Sequence, residues 1–182
     1  MVDAAPSAVV RTYRPPSDAA GTYATFRSAI TRTAAADYEP DQIAAWAGPE
    51  ETDLRAWDAR RRSAHTFVAV VGGRVVGFSD FLDDGLLDML FVHPDQGGRG
   101  IARLLVETVQ QAAVRAGLTG LHTHASRTAR PVFEHLGFRV VTARPDNMVR
   151  GLRVPNFEMR CALATPAARA DGTTDPPPET PG

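Results

Sequence analysis

Ala8 to Tyr13 alternates weakly between apolar and polar positions and is rich in β-branched residues, so it reads as an opening strand, stopped by Pro15 and Pro16. The period then lengthens. From Asp18 to Thr33, Tyr23, Phe26 and Ile30 recur at helical spacing behind Ser17, a residue suited to capping a helix start. A second short helix is expected after Pro40, with Ile43 and Trp46 on one face, and a third from Glu50 to Arg62, whose Arg60, Arg61 and Arg62 read as a solvated face. Thr66 to Val71, Gly72-Gly73 and Arg74 to Asp80 have the pattern of a hairpin, since two glycines supply the positive φ of a tight turn. Leu86 to Val92 is apolar except for Asp88, as expected of a strand covered on both faces at the centre of a sheet.

Ile101, Leu104, Leu105, Thr108, Val109, Ala112 and Ala113 trace an amphipathic helix that Gly117 is suited to end. Leu121 to Ala125 is the next strand, and a short helix carrying Val132, Phe133 and Leu136 follows, closed by Gly137. Pro131 belongs in its first turn, which favours Thr128 over Ser126 as the N-cap. Phe138 to Thr142 and Asn156 to Leu163 complete the sheet as a final pair. The expected organisation is one α/β domain over residues 1–164 and a disordered tail over 165–182, where Pro166, Pro176, Pro177, Pro178 and Pro181 stand among polar residues with little to bury.

Composition narrows the function by exclusion. A formal net charge of -1 gives no basic field to gather nucleic acid, and no run of about 18 apolar residues spans a bilayer. Cys161 is the single cysteine, which rules out an internal disulfide framework, and the first residues lack the pattern of a signal peptide, so a cytoplasmic location is expected. His122 and His124 share one face of a strand, but two histidines without ligand spacing are too few for zinc, and no metal is expected.

The segment richest in chemistry is Phe91-Val92-His93-Pro94-Asp95-Gln96-Gly97-Gly98-Arg99-Gly100-Ile101-Ala102, a strand leading through a glycine-rich turn into a helix. Glycines let successive N–H groups point into one concavity, and the helix N-terminus adds partial positive charge, so the segment suits a pyrophosphate. It lacks the Gly-Lys-Ser/Thr ending of a P-loop, and a Rossmann turn would need Gly where Arg103 stands.

With this turn in place, the succession of elements from about residue 8 to 163 resembles the GNAT superfamily of acetyl-CoA-dependent N-acetyltransferases. Its Gln/Arg-x-x-Gly-x-Gly/Ala turn falls on Gly97, Gly98, Arg99, Gly100, Ile101 and Ala102, with Gly97 a departure and Gln96 one place early. Ser126 to Phe138 is similar to the family's Asn-x-x-Ala-x-x-x-Tyr-Glu-x-x-Gly-Phe, with Ser126 in place of Asn and Phe133 in place of Tyr. Asp88-Met89-Leu90-Phe91-Val92 and Asn156-Phe157-Glu158-Met159 make the chain look closest to the YafP-like bacterial branch.

The resemblance implies a GNAT fold, a mixed central β-sheet splayed in the middle with flanking helices, in which pantetheine inserts as a pseudo-strand. It implies acetyl-CoA as co-substrate, held by Leu90, Phe91, Val92, the Gly97 to Ala102 turn, Ser126, Ala129 and Phe133. An amine attacks the thioester directly, with a Leu90 backbone N–H stabilising the oxyanion and Asp88 as the base. Asp88 as a structural acceptor for backbone N–H groups is the open alternative. Tyr38, Trp46 and His124 are the candidates to touch the acceptor, a small-molecule or peptide amine, although Tyr38, Trp46 and Trp57 also suit a core. Asp83 and Asp84 fit turn residues or an attraction for a cationic substrate, and Arg150 and Arg153 stay ambiguous. A non-catalytic acyl-CoA sensor and a protein N-acetyltransferase are the rival functions, and a homodimer is compatible with the resemblance.

Overall fold

The computed structural model describes residues 7–50 and 52–164, so the tail expected over 165–182 lies outside the described residues. The opening strand β1 (Val9–Thr12) is followed by α1 (Ala19–Ser28). Its first-turn neighbour Asp18, not Ser17, sits at the N-cap position, and the Asp18 carboxylate accepts from Arg14 N–H and pairs with Arg11 at 2.6 Å. The helix expected to reach Thr33 as one piece instead widens into a π turn over Ala29–Thr33 and tightens into a 3-10 turn over Ala34–Ala36. α2 (Pro40–Ala47) starts with proline at its first position and a reciprocal capping box between Glu39 and Gln42. α3 (Leu54–Ser63) is shorter than the sequence pattern suggested, because Asp53 caps it by accepting from Arg55 N–H.

The hairpin β2 (His65–Val71) and β3 (Arg74–Phe81) turns on Gly72 and Gly73, both at positive φ. The next strand does not form as one unit. It is interrupted at Asp88 into β4 (Leu86–Leu87) and β5 (Met89–Val92), which belong to different sheets. One sheet has the order β1-β2-β3-β5. The other has the order β4-β6-β10-β7, built from β6 (Gly120–Ser126), β7 (Arg139–Arg144) and β10 (Asn156–Ala162). β10 lies between β6 and β7 and is antiparallel to both, so the last two long strands do pair. A small hairpin of β8 (Met148–Val149) and β9 (Leu152–Arg153), without an expectation from the sequence, packs on α2.

α4 (Ile101–Arg115) covers one face and ends at Gly117, where φ is 85°. Its apolar stripe buries Val106, Val109 and Ala113 against Phe81, Leu87 and Leu121, and Leu105 against Ala69 and Val76. α5 (Arg130–His135) takes Pro131 in its first turn, but Thr128 does not cap it: the Thr128 hydroxyl donates to Asp37, and Ser126 Oγ accepts from Ala129 N–H at 3.0 Å. The opposite face is covered by α1, α2 and α3, with Trp57 packed edge-on against Tyr23 and Phe78. Arg61, read from the sequence as solvated, is buried here on the Trp57 ring, because its helix turns that side to the β2–β3 hairpin.

Close approach of α4 to the first sheet depends on Gly77. A Cβ there would stand 3.1 Å from both Ile101 Cγ2 and Leu105 Cδ1 and 3.2 Å from the Phe91 carbonyl oxygen. Gly77→Ala is therefore expected to lower stability by about 1–3 kcal/mol through overpacking, read as a reduced urea midpoint. An unchanged midpoint would show that α4 moves away freely.

Candidate active site

The interruption at Asp88 opens a gap between the two sheets. β4 still runs parallel to β6, with Leu86 opposite His122 and Leu87 opposite Thr123. After Asp88 the strand pairs, among the described residues, with β3 alone. His93 N–H donates to the Val76 carbonyl at 2.8 Å, and the register places Phe91 opposite Phe78. The two-residue alternation of an antiparallel ladder then turns the N–H and C=O groups of Leu90 and Val92 toward the gap. On the other bank His122 N–H donates to the Gly85 carbonyl, so the same alternation directs the Ser126 N–H into the gap. A cavity of about 140 Å³ occupies this opening. Leu90, Phe91, Val92 and Ala102 line one side, Ser126, Ala129 and Val132 the other, and Ile30, Thr33, Ala34 and Trp46 close it above.

The glycine-rich turn continues from this gap. Pro94–Gln96 forms a 3-10 turn, and Gly98 and Gly100 follow at φ of 72° and 75°, values that side chains rarely adopt. Gly100 is the N-cap of α4, and the first bond into the helix runs from Leu104 N–H to the Gly100 carbonyl. The N–H groups of Ile101, Ala102 and Arg103 are thus left for an external acceptor. Space beside Gly98 and Gly100 is open, with no atom within 4 Å of a Cβ built on either. Gln96 Oε1 accepts from Arg99 Nη1 at 2.6 Å, and Asp95 pairs with Arg32 of the π turn at 2.6 Å. Ile101 is buried against Ala69 and Leu105, so only its backbone faces the turn. Phe133 is also buried, edge-on to Phe138 at 5.0 Å, and stands apart from the residues lining the cavity.

Across the opened end, Asp88 lies on the face opposite the buried Leu87, with its side chain 45% exposed. It accepts no backbone N–H among the described residues; at the strand break that work falls to Asp80, whose Oδ1 accepts from Met89 N–H at 3.1 Å. Asp80 is fully buried and paired with Arg61. Burial pushes its carboxyl up to about 6, with Arg61 opposing the rise and Asp88 adding to it. The sequence pattern reads Arg61 as part of a solvated face and assigns Asp80 no role, whereas both are buried here. Their one signal is a pair of opposite charges at positions otherwise turned toward apolar neighbours. His124 lies on the same face as Asp88, opposite Glu158 of β10.

The candidates for touching an acceptor separate. Trp46 lines the cavity. Tyr38 stands behind it as a strut, its hydroxyl donating to the Pro155 carbonyl at 2.7 Å and accepting from Arg127 N–H at 2.9 Å. Asp37 holds Thr128 and Arg127, so the segment from the π turn to Tyr38 is tied to both banks of the gap. Arg150 donates to the carbonyls of Ala45 and Trp46 and thereby caps α2, while Arg153 pairs with Asp146 at 3.4 Å. Asp84 accepts from Leu86 N–H in a turn, and Asp83 pairs with His65. No group of three or more His, Cys, Asp or Glu suited to a metal occurs among the described residues.

A sheet opened beside a glycine-rich helix start defines the class once it is set beside known proteins. A family model for the acetyltransferase (GNAT) domain matches residues 34–161, and the chain belongs to that family and is an acyltransferase. Within it, the chain is 34% identical to the uncharacterized N-acetyltransferase YafP of Escherichia coli (strain K12), over 83% of this chain and 93% of that protein. It is also similar to the crystal structure of a GCN5-related N-acetyltransferase from Rhodopseudomonas palustris, with a TM-score of 0.80 and 31% identity over 90% of this chain and 99% of that one. A structure of yncA from Salmonella typhimurium with its cofactor acetyl-CoA shares the fold at a TM-score of 0.66 and 21% identity, covering 89% of this chain and 97% of that one.

The charges around His124 give a test of this geometry. Burial lowers its pKa below the ordinary 6.5, Arg144 adds to the lowering, and Glu158 and Asp88 oppose it. An NMR titration is expected to place the His124 ring midpoint below 6.5 and so to find it neutral at pH 7. The unfolded chain then binds more protons in that window, so this group's contribution to stability is present above 6.5 and lost as pH falls. A midpoint above 6.5 would mean that the two carboxylates dominate.

Proposed function

We propose that this enzyme transfers the acetyl group of acetyl-CoA to an amine of a small molecule or peptide by direct attack. The observation that carries the reading is continuity: the inward-facing N–H groups of Leu90 and Val92 run from Asp88 to the free N–H groups at the start of α4. The open space at Gly98 and Gly100 fits a pyrophosphate approaching those donors. Acetyl-CoA supplies an activated thioester carbonyl. Leu90 and Val92 hold the pantetheine arm as an added strand, with Ser126 and Ala129 on the far bank. The Leu90 N–H faces the negative charge that develops on the carbonyl oxygen.

Most alkyl amines are protonated near neutrality, so attack requires removal of a proton. Asp88 is the carboxylate exposed at the opened end and takes that proton directly or through one water. The amine nitrogen forms the new C–N bond as the C–S bond breaks, and the departing thiolate is protonated by water. Phe133 has no proton to give, and its burial agrees with that route. Trp46 forms an apolar wall beside the reacting end. The same reading places the enzyme in the cytoplasm, with neither nucleic acid nor membrane as partner; no helix among the described residues is long and apolar enough to cross a membrane.

Thiol release from acetyl-CoA across a panel of small amines, polyamines, amino acids and peptides tests the function. Turnover on at least one amine is expected, activity on peptides alone would mark a protein acetyltransferase, and tight binding without turnover would contradict the proposal. Gly100→Trp is expected to abolish acetyl-CoA binding in calorimetry while the domain stays folded, because the indole occupies the phosphate space. Wild-type affinity in that variant would misplace the cradle. Asp88→Asn is expected to bind acetyl-CoA normally and lose roughly 10²- to 10⁴-fold in turnover, with partial rescue at higher pH. A wild-type rate per folded molecule would remove Asp88 as the base.

A further inference from the structure

One buried cation stands between two carboxylates from different parts of the interrupted strand region. Arg61, in the last turn of α3, has a side chain 4% exposed, with its guanidinium 5.0 Å from the centre of the Trp57 ring. Nη1 pairs with Asp80, Nη2 lies 4.0 Å from the Asp88 carboxylate, and Nε is buried without a hydrogen-bond partner among the described residues. An apolar residue would fill the space between Trp57 and Phe78 but leave Asp80 buried without a counter-charge; Asp80 therefore accounts for a cation at 61 and for one arm of the guanidinium, and not for the second. Asp80 also holds Met89 N–H, the first amide after the break. The fork of Arg61 thus lies between the carboxylate that shapes the break and the one exposed at it, hydrogen-bonded to the first and at ion-pair distance from the second.

We infer that Arg61 is a positioning residue of the transfer reaction: Nη1 neutralises Asp80 while Nη2 fixes the Asp88 carboxylate at the open end of the gap. The inference rests on the reading of Asp88 as the base. Among the described residues, Arg61 from α3, Asp80 from β3 and His124 from β6 bear on Asp88. Arg61 alone is a permanent cation, and Asp80 alone would repel the base. A lysine at 61 supplies one point charge, which serves Asp80 but leaves the second arm empty.

A double-mutant cycle of Arg61→Lys and Asp88→Asn separates this from a structural role. Thiol release from acetyl-CoA is measured per folded molecule with the fastest amine of the panel, and with water as acceptor where no amine is faster. Arg61→Lys is expected to keep its affinity for acetyl-CoA and lose at least about 10-fold in kcat, but less than about 2-fold when Asp88→Asn is already present. Equal losses in the two backgrounds, or no loss in the first, would overturn the inference. A wild-type rate for Asp88→Asn alone would instead show that the parent reading has failed. If Arg61→Lys does not fold, Arg61→Gln enters the same cycle, and failure of both to fold makes Arg61 a purely structural residue and overturns the positioning role.

Discussion

A β-strand can satisfy its backbone on two sides, and this molecule withholds the second side for the length of β5. Up to Leu87 the strand bonds to β6; beyond Asp88 it bonds, among the described residues, to β3 alone. Buried backbone donors without partners are strongly unfavourable, so an opened strand in a domain centre needs structure that holds it open and a molecule that fills it. The first is visible in the Asp80 carboxylate on Met89 N–H and in the Arg61 cation that makes a buried Asp80 tolerable. The second is the reason the gap reads as a binding site for an extended, amide-bearing arm.

The rest of the architecture follows from keeping that gap at a fixed width. Gly77 brings α4 close to the first sheet, which sets the free N–H groups of the helix start in line with the strand edge. The π turn and the segment up to Tyr38 tie down on both banks, through Arg32 to Asp95 and through Asp37 and Tyr38 to Arg127 and Thr128. Trp46 reaches the cavity from α2, whose last carbonyls are held by Arg150. The proposed cofactor side and the proposed acceptor side are therefore supported by separate elements on either side of the break at Asp88.

Much of this was legible in the sequence because it depends on local pattern. The Gly72-Gly73 hairpin, the α4 stripe and the Gly97 to Ala102 turn each follow from spacing and glycine placement, and the family resemblance follows from their order. The break at Asp88 was not legible as a break: a polar residue in an apolar run has the same signature whether it is buried with a partner or marks a change of sheet. Arg61 was missed for a related reason. Three consecutive arginines read as solvated, and only the tertiary placement of Asp80 turns the middle one inward. Thr128 failed as a cap because Asp37, distant in the chain, took its hydroxyl.

Phe91 is already paired with β3, and under the proposed function Leu90 and Val92 present unpaired amides to the bound arm of acetyl-CoA. Amide hydrogen exchange followed by NMR tests it directly, residue by residue. On saturation with acetyl-CoA, Leu90 and Val92 should slow markedly, and Phe91, protected in the free protein, should change little. Unchanged exchange at Leu90 and Val92 under saturating acetyl-CoA would mean that the arm does not bind along β5.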